Sequence, residues 1–420
     1  MKILVIGAGK MGSAAAQFLA SFPEVSAIRV VDHNQANLTA LEKIIRATGK
    51  GFESVSLDIA NAAKSGELGK AMDGCAAALN ALPNRHVSYL SLEAGINAGT
   101  PMVDILEEYH RRPDKHEIEN LEVPSGMSLD EYGESLYQKA LAKDLTVMSG
   151  MGFAPGLSNI TTAHAMKHFK GAVKAVARVG GIPAPMHRGK YPLQYTVTWS
   201  FNHVLREYMV KVPVLKDNEI IEVESLTEHE EFLFTEFGQN ADLECAITPG
   251  MPSFIYTLRD RLTDFSEKTV RWNGHYAGVQ TLKDCGLLDL KPVEIEGSCV
   301  VPRELLFNVL NTRLRRKEGD HDACVMYNTV EGVTHDGKRG RAEIFMWDEE
   351  PSSPFSAMAR VTALPAAAAV ALVGLGEIKC PGVVAPEEAY DENAYHHLLK
   401  MLETHNVRII ERLSVDEPLV

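Results

Sequence analysis

The first 150 residues alternate between short apolar runs and longer segments with helical periodicity. The run Lys2–Gly7 is nearly continuous, which is typical of a parallel strand covered on both faces. Further strands are predicted at Ala27–Asp32, Glu53–Leu57, Ala76–Leu82, Pro101–Ile105 and Leu145–Ser149. Helical segments are predicted between them at Met11–Phe22, Leu38–Ala47 and Val87–Ala98. Because strands that alternate with helices form a parallel sheet with helices on both faces, the sequence predicts an α/β fold that begins with a doubly wound parallel sheet.

The pattern changes after about residue 165. Strands of a mixed α+β domain are predicted at Val173–Ile182, Leu193–Ser200 and Ile220–Val223, and a further strand at Arg341–Asp348. An alanine-rich helix and a last helix at Glu392–His405 follow. In the first part, a charged segment at about 107–130 contains two prolines and is predicted to be a surface insertion.

Composition narrows the class of protein. The net charge of −14 argues against a nucleic-acid or anionic-membrane partner, because phosphates would be repelled. The six cysteines include no Cys-x-x-Cys pair, so we expect reduced thiols, no metal site and a cytoplasmic protein. No signal peptide is expected, since the first strand begins at Lys2. The longest apolar stretch, Val361–Gly376, contains Pro365 and is shorter than the roughly 20 residues of a membrane span, so it predicts a buried helix.

A glycine motif follows the first strand and opens the first helix: Gly7, Ala8, Gly9, Lys10, Met11 and Gly12 form a Gly-x-Gly-x-x-Gly. In a Rossmann domain the first glycine permits the tight turn, the second lets the backbone approach a diphosphate, and the third allows close packing of helix and strand. The diphosphate binds at the helix N-terminus, where N–H groups and the helix dipole favour negative charge. The motif therefore predicts a dinucleotide site.

Asp32 ends the second strand, 20 residues after Gly12, where an acid can accept the ribose hydroxyls of adenosine. A carboxylate also repels a 2′-phosphate, and His33 and Asn34 supply no arginine. The sequence thus predicts NAD in preference to NADP. The alternative is an ordinary surface aspartate after a strand.

Two more strand ends are candidates for cofactor contact. Asp58 follows the third strand and either faces the adenine or caps the next helix. Asn80, Leu82 and Pro83 end the fourth strand, at the edge where ligands of doubly wound sheets bind. Pro83 either fixes the loop on the nicotinamide side or only stops the strand.

Several segments, in the same order along nearly the whole chain, resemble the saccharopine dehydrogenase superfamily, most closely its lysine 6-dehydrogenase-like branch. They are Gly152–Asn159, Gln194–Ser200, Arg206–Tyr208, Asp217–Val223, Thr269–His275, Ser356–Pro365 and Gly382–Glu387. The resemblance implies that the C-terminal segment returns to the first domain. It divides the chain into a dinucleotide-binding domain, residues 1–160 with 352–420, and a substrate and dimerisation domain, residues 161–351.

The resemblance also implies NAD-dependent oxidation of a carbon–nitrogen bond in a small amino acid or amine. Saccharopine and carboxynorspermidine-type dehydrogenases are alternatives within the class. Members that handle saccharopine carry an arginine shortly after the Trp-Ser pair, where this chain has Asn202. A catalytically silent NAD sensor or scaffold is the alternative from another class. A homo-oligomer, with a dimer as the first expectation, is suggested by the alanine-rich helix and the sheet of the second domain.

The implied chemistry assigns three roles. His275 is the first candidate for the base and Asp104, at the end of the fifth strand, is the second. Arg271 and Arg360 are candidates for binding a substrate carboxylate. The remaining candidates are wall and loop residues: Phe153, Tyr195 and Trp199 for the walls, and Gly156 for the loop facing the cofactor.

Each of these residues also has a structural alternative. His275 could lie in a simple turn, and Arg271 could be a surface residue. Arg360 could bind a structural carboxylate or the C-terminus of a neighbouring helix. Phe153 and Trp199 could be plain core.

Overall fold

The computed structural model describes residues 1–114 and 121–416. The chain divides into two compact units, and each is built from three segments. The first unit comprises Met1–Ile160, Met251–Thr257 and Ala359–Asn406. The second comprises Thr161–Gly250, Leu258–Met358 and Val407–Val420.

The first unit contains a seven-stranded parallel sheet. Its strands are β1 (Lys2–Ile6), β2 (Ala27–Asp32), β3 (Gly51–Ser56), β4 (Ala77–Asn80), β5 (Met102–Asp104), β6 (Thr146–Met148) and β17 (Gly382–Val384). The strand order is β3-β2-β1-β4-β5-β6-β17, so the direction of winding reverses between β1 and β4. The predicted doubly wound sheet is confirmed, and its seventh strand comes from the C-terminal segment.

The helices that lie wholly or partly in this unit are α1 (Lys10–Ser21), α2 (Gln35–Ala47), α3 (Ile59–Ser65), α4 (Glu67–Met72), α5 (Arg85–Ala98), α6 (Leu129–Ala142), α7 (Leu157–Ala165), α9 (Phe254–Thr257), α12 (Ala357–Leu375), α13 (Pro386–Ala389) and α14 (Glu392–Glu403). Side chains at their starts accept backbone N–H groups: Asn34 caps α2, Asn84 caps α5, and Ser128 begins α6 with a capping box. These caps fix the residue at which each of the three helices begins.

Within the described residues, α12 is long and apolar enough to cross a membrane by length and composition, but 78% of its 18-residue window is buried inside the protein. Core helices pass the same test, so this is weak support for a span. Val361, Leu364 and Val370 are among its fully buried residues, as the predicted buried helix requires.

The second unit is dominated by a nine-stranded mixed sheet. The strands of this unit are β7 (Phe169–Pro183), β8 (Lys211–Lys216), β9 (Glu219–Glu224), β10 (Glu230–Phe234), β11 (Ala241–Ile247), β12 (Leu262–Trp272), β13 (Val293–Ile295), β14 (Ser298–Val300), β15 (Asp322–Thr334), β16 (Arg339–Asp348) and β18 (Ile409–Val415). The main path is β10-β11-β12-β7-β15-β16-β18, with β8 and β9 beside β12, while β13 and β14 form a separate hairpin.

Helices α8 (Phe201–Glu207), α10 (His275–Asp284) and α11 (Pro302–Arg313) complete this unit. An aromatic cluster that includes Tyr195, Phe201, Tyr208 and Tyr276 packs with residues of these helices. A second apolar cluster, which includes Ile182, Leu243 and Trp272, lies on the strands. The α+β prediction for this part of the chain is confirmed.

Three local predictions need correction. Leu193–Ser200 is not a strand, because Leu193 and Gln194 have φ angles of 56° and 50°, which no extended strand contains. The C-terminal segment belongs to the first unit only from Ala359 to Asn406, because β18 then pairs with β16 in the second sheet. Residues 107–130 are not only a surface excursion: Glu108 and His110 are buried, while residues 115–120 lie outside the described residues.

Gly180, in the middle of β7, gives a test of the second sheet. A Cβ at this position would lie 2.1 Å from the carbonyl oxygen of Val270 on β12. Because that neighbour is backbone, we expect Gly180→Ala to lower the free energy of unfolding by about 1–3 kcal/mol in chemical denaturation. Gly69→Ala in α4 is the control: its Cβ would meet only Ala98 at 3.7 Å, so stability should stay equal or rise. Equal stability of both variants would contradict the close approach of β7 and β12.

Candidate functional site

The glycine turn joins β1 to α1 through a backbone approach that excludes side chains. Gly7 has a φ of 96°, and its N–H donates to the carbonyl of Val31 at 2.8 Å. A Cβ on Gly12 would lie 1.9 Å from the Gly7 carbonyl oxygen. Both positions therefore require glycine, as the motif predicts.

Gly9 has a different environment. It precedes the first residue of α1, and no heavy atom lies within 4 Å of a Cβ placed there. Lys10 is exposed and Met11 half-buried in the first helical turn, which carries no acidic residue. The helix start thus presents backbone N–H groups beside open space, which fits the diphosphate of a dinucleotide.

Asp32 lies at the end of β2 beside this turn and is almost fully buried. One carboxylate oxygen accepts the N–H of Ala8 at 2.5 Å, and the other accepts the N–H of Asn34 at 2.7 Å. The side chain therefore ties β2 to the glycine turn. An oxygen of this carboxylate remains able to accept a further hydrogen bond, since each has two lone pairs.

The other predicted cofactor residues differ in exposure. Asp58 is exposed and accepts the N–H of Asn61 at 3.1 Å, so its helix-capping alternative is observed. Leu82 is half-buried, with its side chain 3.1 Å from a Cβ placed on Gly7. Pro83 is exposed in the turn before α5.

Asn80 and Asp104 end two adjacent strands and are both fully buried. The amide nitrogen of Asn80 donates to Asp104 Oδ2 at 2.6 Å, and the hydroxyl of Ser88 donates to the same oxygen at 2.5 Å. The N–H of Leu106 occupies Asp104 Oδ1 at 2.6 Å. Burial raises the pKa of Asp104, while these three donors lower it, and the net shift is upward. With three donors on it, this carboxylate is held in place rather than aimed at open space.

Sequence reasoning missed the side chains behind Asp104. His110 contacts the hydroxyls of Ser88 at 2.9 Å and Ser149 at 3.0 Å, and burial lowers its pKa to about 4. Nearby, Arg85 donates two hydrogen bonds to the buried carboxylate of Glu108. Glu108 and His110 lie in the charged segment noted in the sequence, but their partners on α5, Arg85 and Ser88, could not be identified from sequence.

The Gly152–Asn159 loop is held by its own backbone and by buried polar groups. Gly156 has a φ of 126°, and a Cβ there would lie 2.3 Å from the nitrogen and oxygen of Gly152. Asn159 accepts the N–H of Gly156 at 3.0 Å and donates to Glu387 at 2.9 Å. Phe153 is buried in this loop. The conformation of the Gly152–Asn159 loop is therefore fixed by contacts within the protein and does not require a ligand.

Arg360 on α12 is buried and donates to the carbonyl of His405 at 2.7 Å, just beyond the end of α14. This is the structural alternative considered for it, a contact with the C-terminus of a neighbouring helix. The geometry favours that role over binding a substrate carboxylate.

Arg271, by contrast, lies inside the second unit and is only 2% exposed. Its hydrogen bonds go to neutral oxygens: the hydroxyl of Tyr208 at 3.3 Å and the carbonyls of Val270 and Gly181 at 3.0 and 3.4 Å. Its guanidinium carbon lies 5.0 Å from the ring centre of Tyr195. Burial lowers the pKa of Arg271, but the neighbouring tyrosines raise it and the net shift is upward, so it stays charged.

His275 begins α10 and is also buried. Its Nδ1 lies 2.8 Å from the carbonyl of Leu193 and its Nε2 2.9 Å from the hydroxyl of Tyr208. A carbonyl only accepts, so Nδ1 carries the proton and Nε2 accepts from Tyr208. Burial and then the charge of Arg271 lower the pKa of His275 to about 3. In this environment His275 is neutral near pH 7 and accepts the Tyr208 hydroxyl beside Arg271, which favours a positioning role over that of a base titrating near neutrality.

The remaining candidates are placed as follows. Tyr195 is buried against His275 and Phe201, while Trp199 is half-buried and packs on His203 at 5.0 Å. These contacts bring Tyr195, Arg271 and His275 together and leave Trp199 at their margin. Elsewhere in the second unit, His229, Glu231 and Glu244 offer ligand atoms within 4.8 Å of one another, and His229 and Glu244 are already hydrogen-bonded to each other.

Comparisons with known proteins agree with this architecture. The sequence model of the saccharopine dehydrogenase NADP binding domain matches residues 3–144, and that of the saccharopine dehydrogenase C-terminal domain matches residues 152–407. Among solved structures, the L-Glu-forming saccharopine dehydrogenase of Saccharomyces cerevisiae is similar, with a TM-score of 0.76 and 18% identity over 98% of this chain and 99% of that one. This likeness supports the fold.

A curated relative, the NADP(+), L-glutamate-forming saccharopine dehydrogenase of Schizosaccharomyces pombe, is 26% identical over 136 residues. The match covers 32% of this chain and 29% of the relative. The predicted family resemblance is confirmed, because the C-terminal domain model alone spans more than half of the chain. The chain therefore belongs to the saccharopine dehydrogenase family of nicotinamide-dependent oxidoreductases.

Proposed function

We propose that this protein oxidises the carbon–nitrogen bond of an amino acid with a single carboxylate, as a lysine 6-dehydrogenase does, and that it uses NAD. In the proposed reaction a hydride leaves the carbon that bears the amine. The iminium then adds water, releasing ammonia and an aldehyde. NAD supplies the acceptor for the hydride when it is bound, and the protein supplies binding and orientation.

The observation that carries the proposal is the buried guanidinium of Arg271. A buried cation is costly unless an anion compensates it, and the hydrogen-bond partners of Arg271 are a phenol and two carbonyls. The buried carboxyl of Glu267 feels the charge of Arg271, but burial and Glu207 raise the pKa of Glu267 well above its usual value, and it is not a hydrogen-bond partner of Arg271. An amino-acid carboxylate is a planar anion that arginine binds through two parallel hydrogen bonds. Tyr195 would stack on the guanidinium and exclude water from that pair.

The number of charges favours a lysine-like substrate over saccharopine, which carries three carboxylates. A substrate with more carboxylates needs more cationic side chains to bind it. At the position where saccharopine-handling members carry an arginine, this chain has the exposed Asn202. Phe201 beside it is buried in the aromatic cluster with Tyr195 and offers no charge. One buried arginine matches one α-carboxylate.

The proposal that NAD is the cofactor rests on the negative charge of Asp32 at the end of β2. The descriptions of the N-terminal domain model and of the Schizosaccharomyces pombe relative name NADP. In this chain, however, Asp32 is buried beside the glycine turn, and residues 32–36 and 56–63 contain no lysine or arginine. A 2′-phosphate would face a carboxylate without a cation to neutralise it, so we infer that NAD is the cofactor.

Substrate choice provides the first test. The wild-type protein should reduce NAD with L-lysine at a higher kcat/KM than with saccharopine or carboxynorspermidine. Arg271→Met should lower kcat/KM for L-lysine by about 100-fold, because a charge-assisted pair is lost. The same variant should leave the rate with cadaverine, which lacks the carboxylate, nearly unchanged.

The control for this experiment is Arg188→Met. Arg188 is an exposed arginine that lies over the ring of Trp272, so it matches Arg271 in type and in aromatic contact. It should leave the lysine-to-cadaverine ratio as it is. A preference of the wild type for saccharopine, or an equal loss with both amines in Arg271→Met, would refute the proposed carboxylate site.

Cofactor choice provides the second test, measured as binding of NADH and NADPH by fluorescence titration. The wild type should bind NADH at least about tenfold more tightly, and the double variant Asp32→Ser, His33→Arg should reverse the order, since it exchanges an anion for a cation. Asp58→Asn, at the exposed helix cap, serves as the control and should not change the order. Tighter binding of NADPH by the wild type would contradict the inference.

The neutral state of His275 predicts how the free energy of unfolding depends on pH. Its pKa in the folded protein is about 3 and its ordinary value is 6.5, so below pH 6.5 the unfolded chain takes up a proton that the folded one does not. Stability is thus lost as the pH falls from 6.5. His275→Gln, which can keep both hydrogen bonds without titrating, should reduce this loss by up to about 1.4 kcal/mol per pH unit in urea unfolding.

The pH profile of kcat/KM between pH 6 and 9 should keep its shape in the same variant. Loss of an acid limb near pH 6.5 in His275→Gln would instead restore His275 as a base.

A further inference from the structure

Asn80 occupies the point where the winding of the parallel sheet reverses. It ends β4 and pairs with Ile6 of β1 on one side and with Asp104 of β5 on the other. In doubly wound sheets the ligand lies outside the carboxyl ends of the strands at this point. Ala81, the next residue, has its carbonyl oxygen 3.2 Å from a Cβ placed on Gly7, so Asn80 adjoins the glycine turn.

The amide of Asn80 is fully buried, and only half of it is satisfied. Its nitrogen donates to Asp104, whereas its Oδ1 has no hydrogen-bond partner among the described residues. A buried polar atom without a partner is uncommon and costs free energy, so it calls for a donor from outside the protein.

Asp104 determines which atom of the Asn80 amide is without a hydrogen-bond partner. Its carboxylate can only accept, so the nitrogen of Asn80 has to face it; rotation of the amide would bring two oxygens together. The hydrogen bonds of Ser88 and His110 are consistent with Asp104 acting only as an acceptor. His110 is neutral, so one ring nitrogen donates to the hydroxyl of Ser88, which in turn donates to Asp104, and the other accepts from Ser149.

We propose that Asn80 Oδ1 accepts a hydrogen bond from an O–H or N–H group of the nicotinamide riboside half of the bound dinucleotide, and that Asp104 is the positioning residue that presents this oxygen. The proposal rests on the proposed use of a dinucleotide. Asp32 lies on the β2 side of the reversal and serves the adenosine half, so the β4 side faces the other half of the ligand. Asp104 thereby has a role that needs no proton transfer.

The test compares three ligands by calorimetry: ADP, ADP-ribose and NAD. In Asn80→Leu, which keeps the side-chain volume, ADP should bind within about twofold of wild type, while NAD should bind at least about tenfold more weakly. A loss that is already present for ADP-ribose assigns the donor to the ribose hydroxyls. A loss confined to NAD assigns it to the carboxamide.

Asp104→Asn tests the positioning role separately. An amide at 104 can donate as well as accept, so Asn80 is free to rotate, and we expect the same selective loss of NAD affinity with ADP binding retained. Ser88→Ala is the matched control: it removes a different donor to Asp104 and leaves the carboxylate to hold Asn80. Thermal unfolding of each variant establishes that it is folded.

Unchanged NAD affinity in Asn80→Leu would overturn the proposal, and would assign the oxygen to a buried water. Equal weakening of ADP and NAD would also overturn it, since the turn itself would then be damaged. A loss in Ser88→Ala as large as in Asp104→Asn would refute the positioning role. Failure of the wild type to bind any of the three ligands would instead refute the proposed use of a dinucleotide.

Discussion

The contact between the backbone of Gly12 and the carbonyl of Gly7 is the constraint on which the nucleotide-binding half depends. A Cβ on residue 12 would lie 1.9 Å from that oxygen, so residue 12 has to be glycine, and the φ of 96° at residue 7 favours glycine there as well. The approach brings the start of α1 beside β1 and leaves open space above Gly9. Asp32 adds a second fixed point, because it bonds to the Ala8 amide inside the same turn. A rigid turn of this kind binds an anion without reorganising, which is why no basic side chain is needed.

Buried charged side chains have different hydrogen-bond partners in the two units. In the first, Arg85 is paired with Glu108, and the donors around Asp104 satisfy its carboxylate. In the second, Arg271 donates its hydrogen bonds to neutral oxygens and lies against the ring of Tyr195, and His275 is kept neutral by burial and by the charge of Arg271. The first arrangement is complete within the protein. In the second, no hydrogen-bond acceptor of Arg271 among the described residues is charged, which is the arrangement we expect of the proposed carboxylate site.

Much of the first unit could be predicted because its signals are local. Short runs of five to seven residues, most of them apolar, marked the strands, and the glycine motif and Asp32 were identified from spacing alone. The environment of His275 could not be predicted, because burial lowers its pKa and its ring is hydrogen-bonded to Leu193 and Tyr208, which are 82 and 67 residues away in sequence. The same limit applies to Leu193–Ser200, whose pattern is that of a strand but whose backbone turns at Leu193. Residue type and spacing predict which groups are present, whereas burial and tautomer follow from long-range contacts.

The last strand of the second sheet, β18, comes after the segment that completes the first. The chain therefore enters each unit three times, and neither unit corresponds to a continuous stretch of sequence. During synthesis on the ribosome, β17 emerges long after the six strands it joins, and β18 later still. The first sheet thus reaches its full number of strands only after Val384 has been synthesised and the second only after Val415, so shorter chains expose unpaired strand edges, which are the elements most prone to intermolecular pairing.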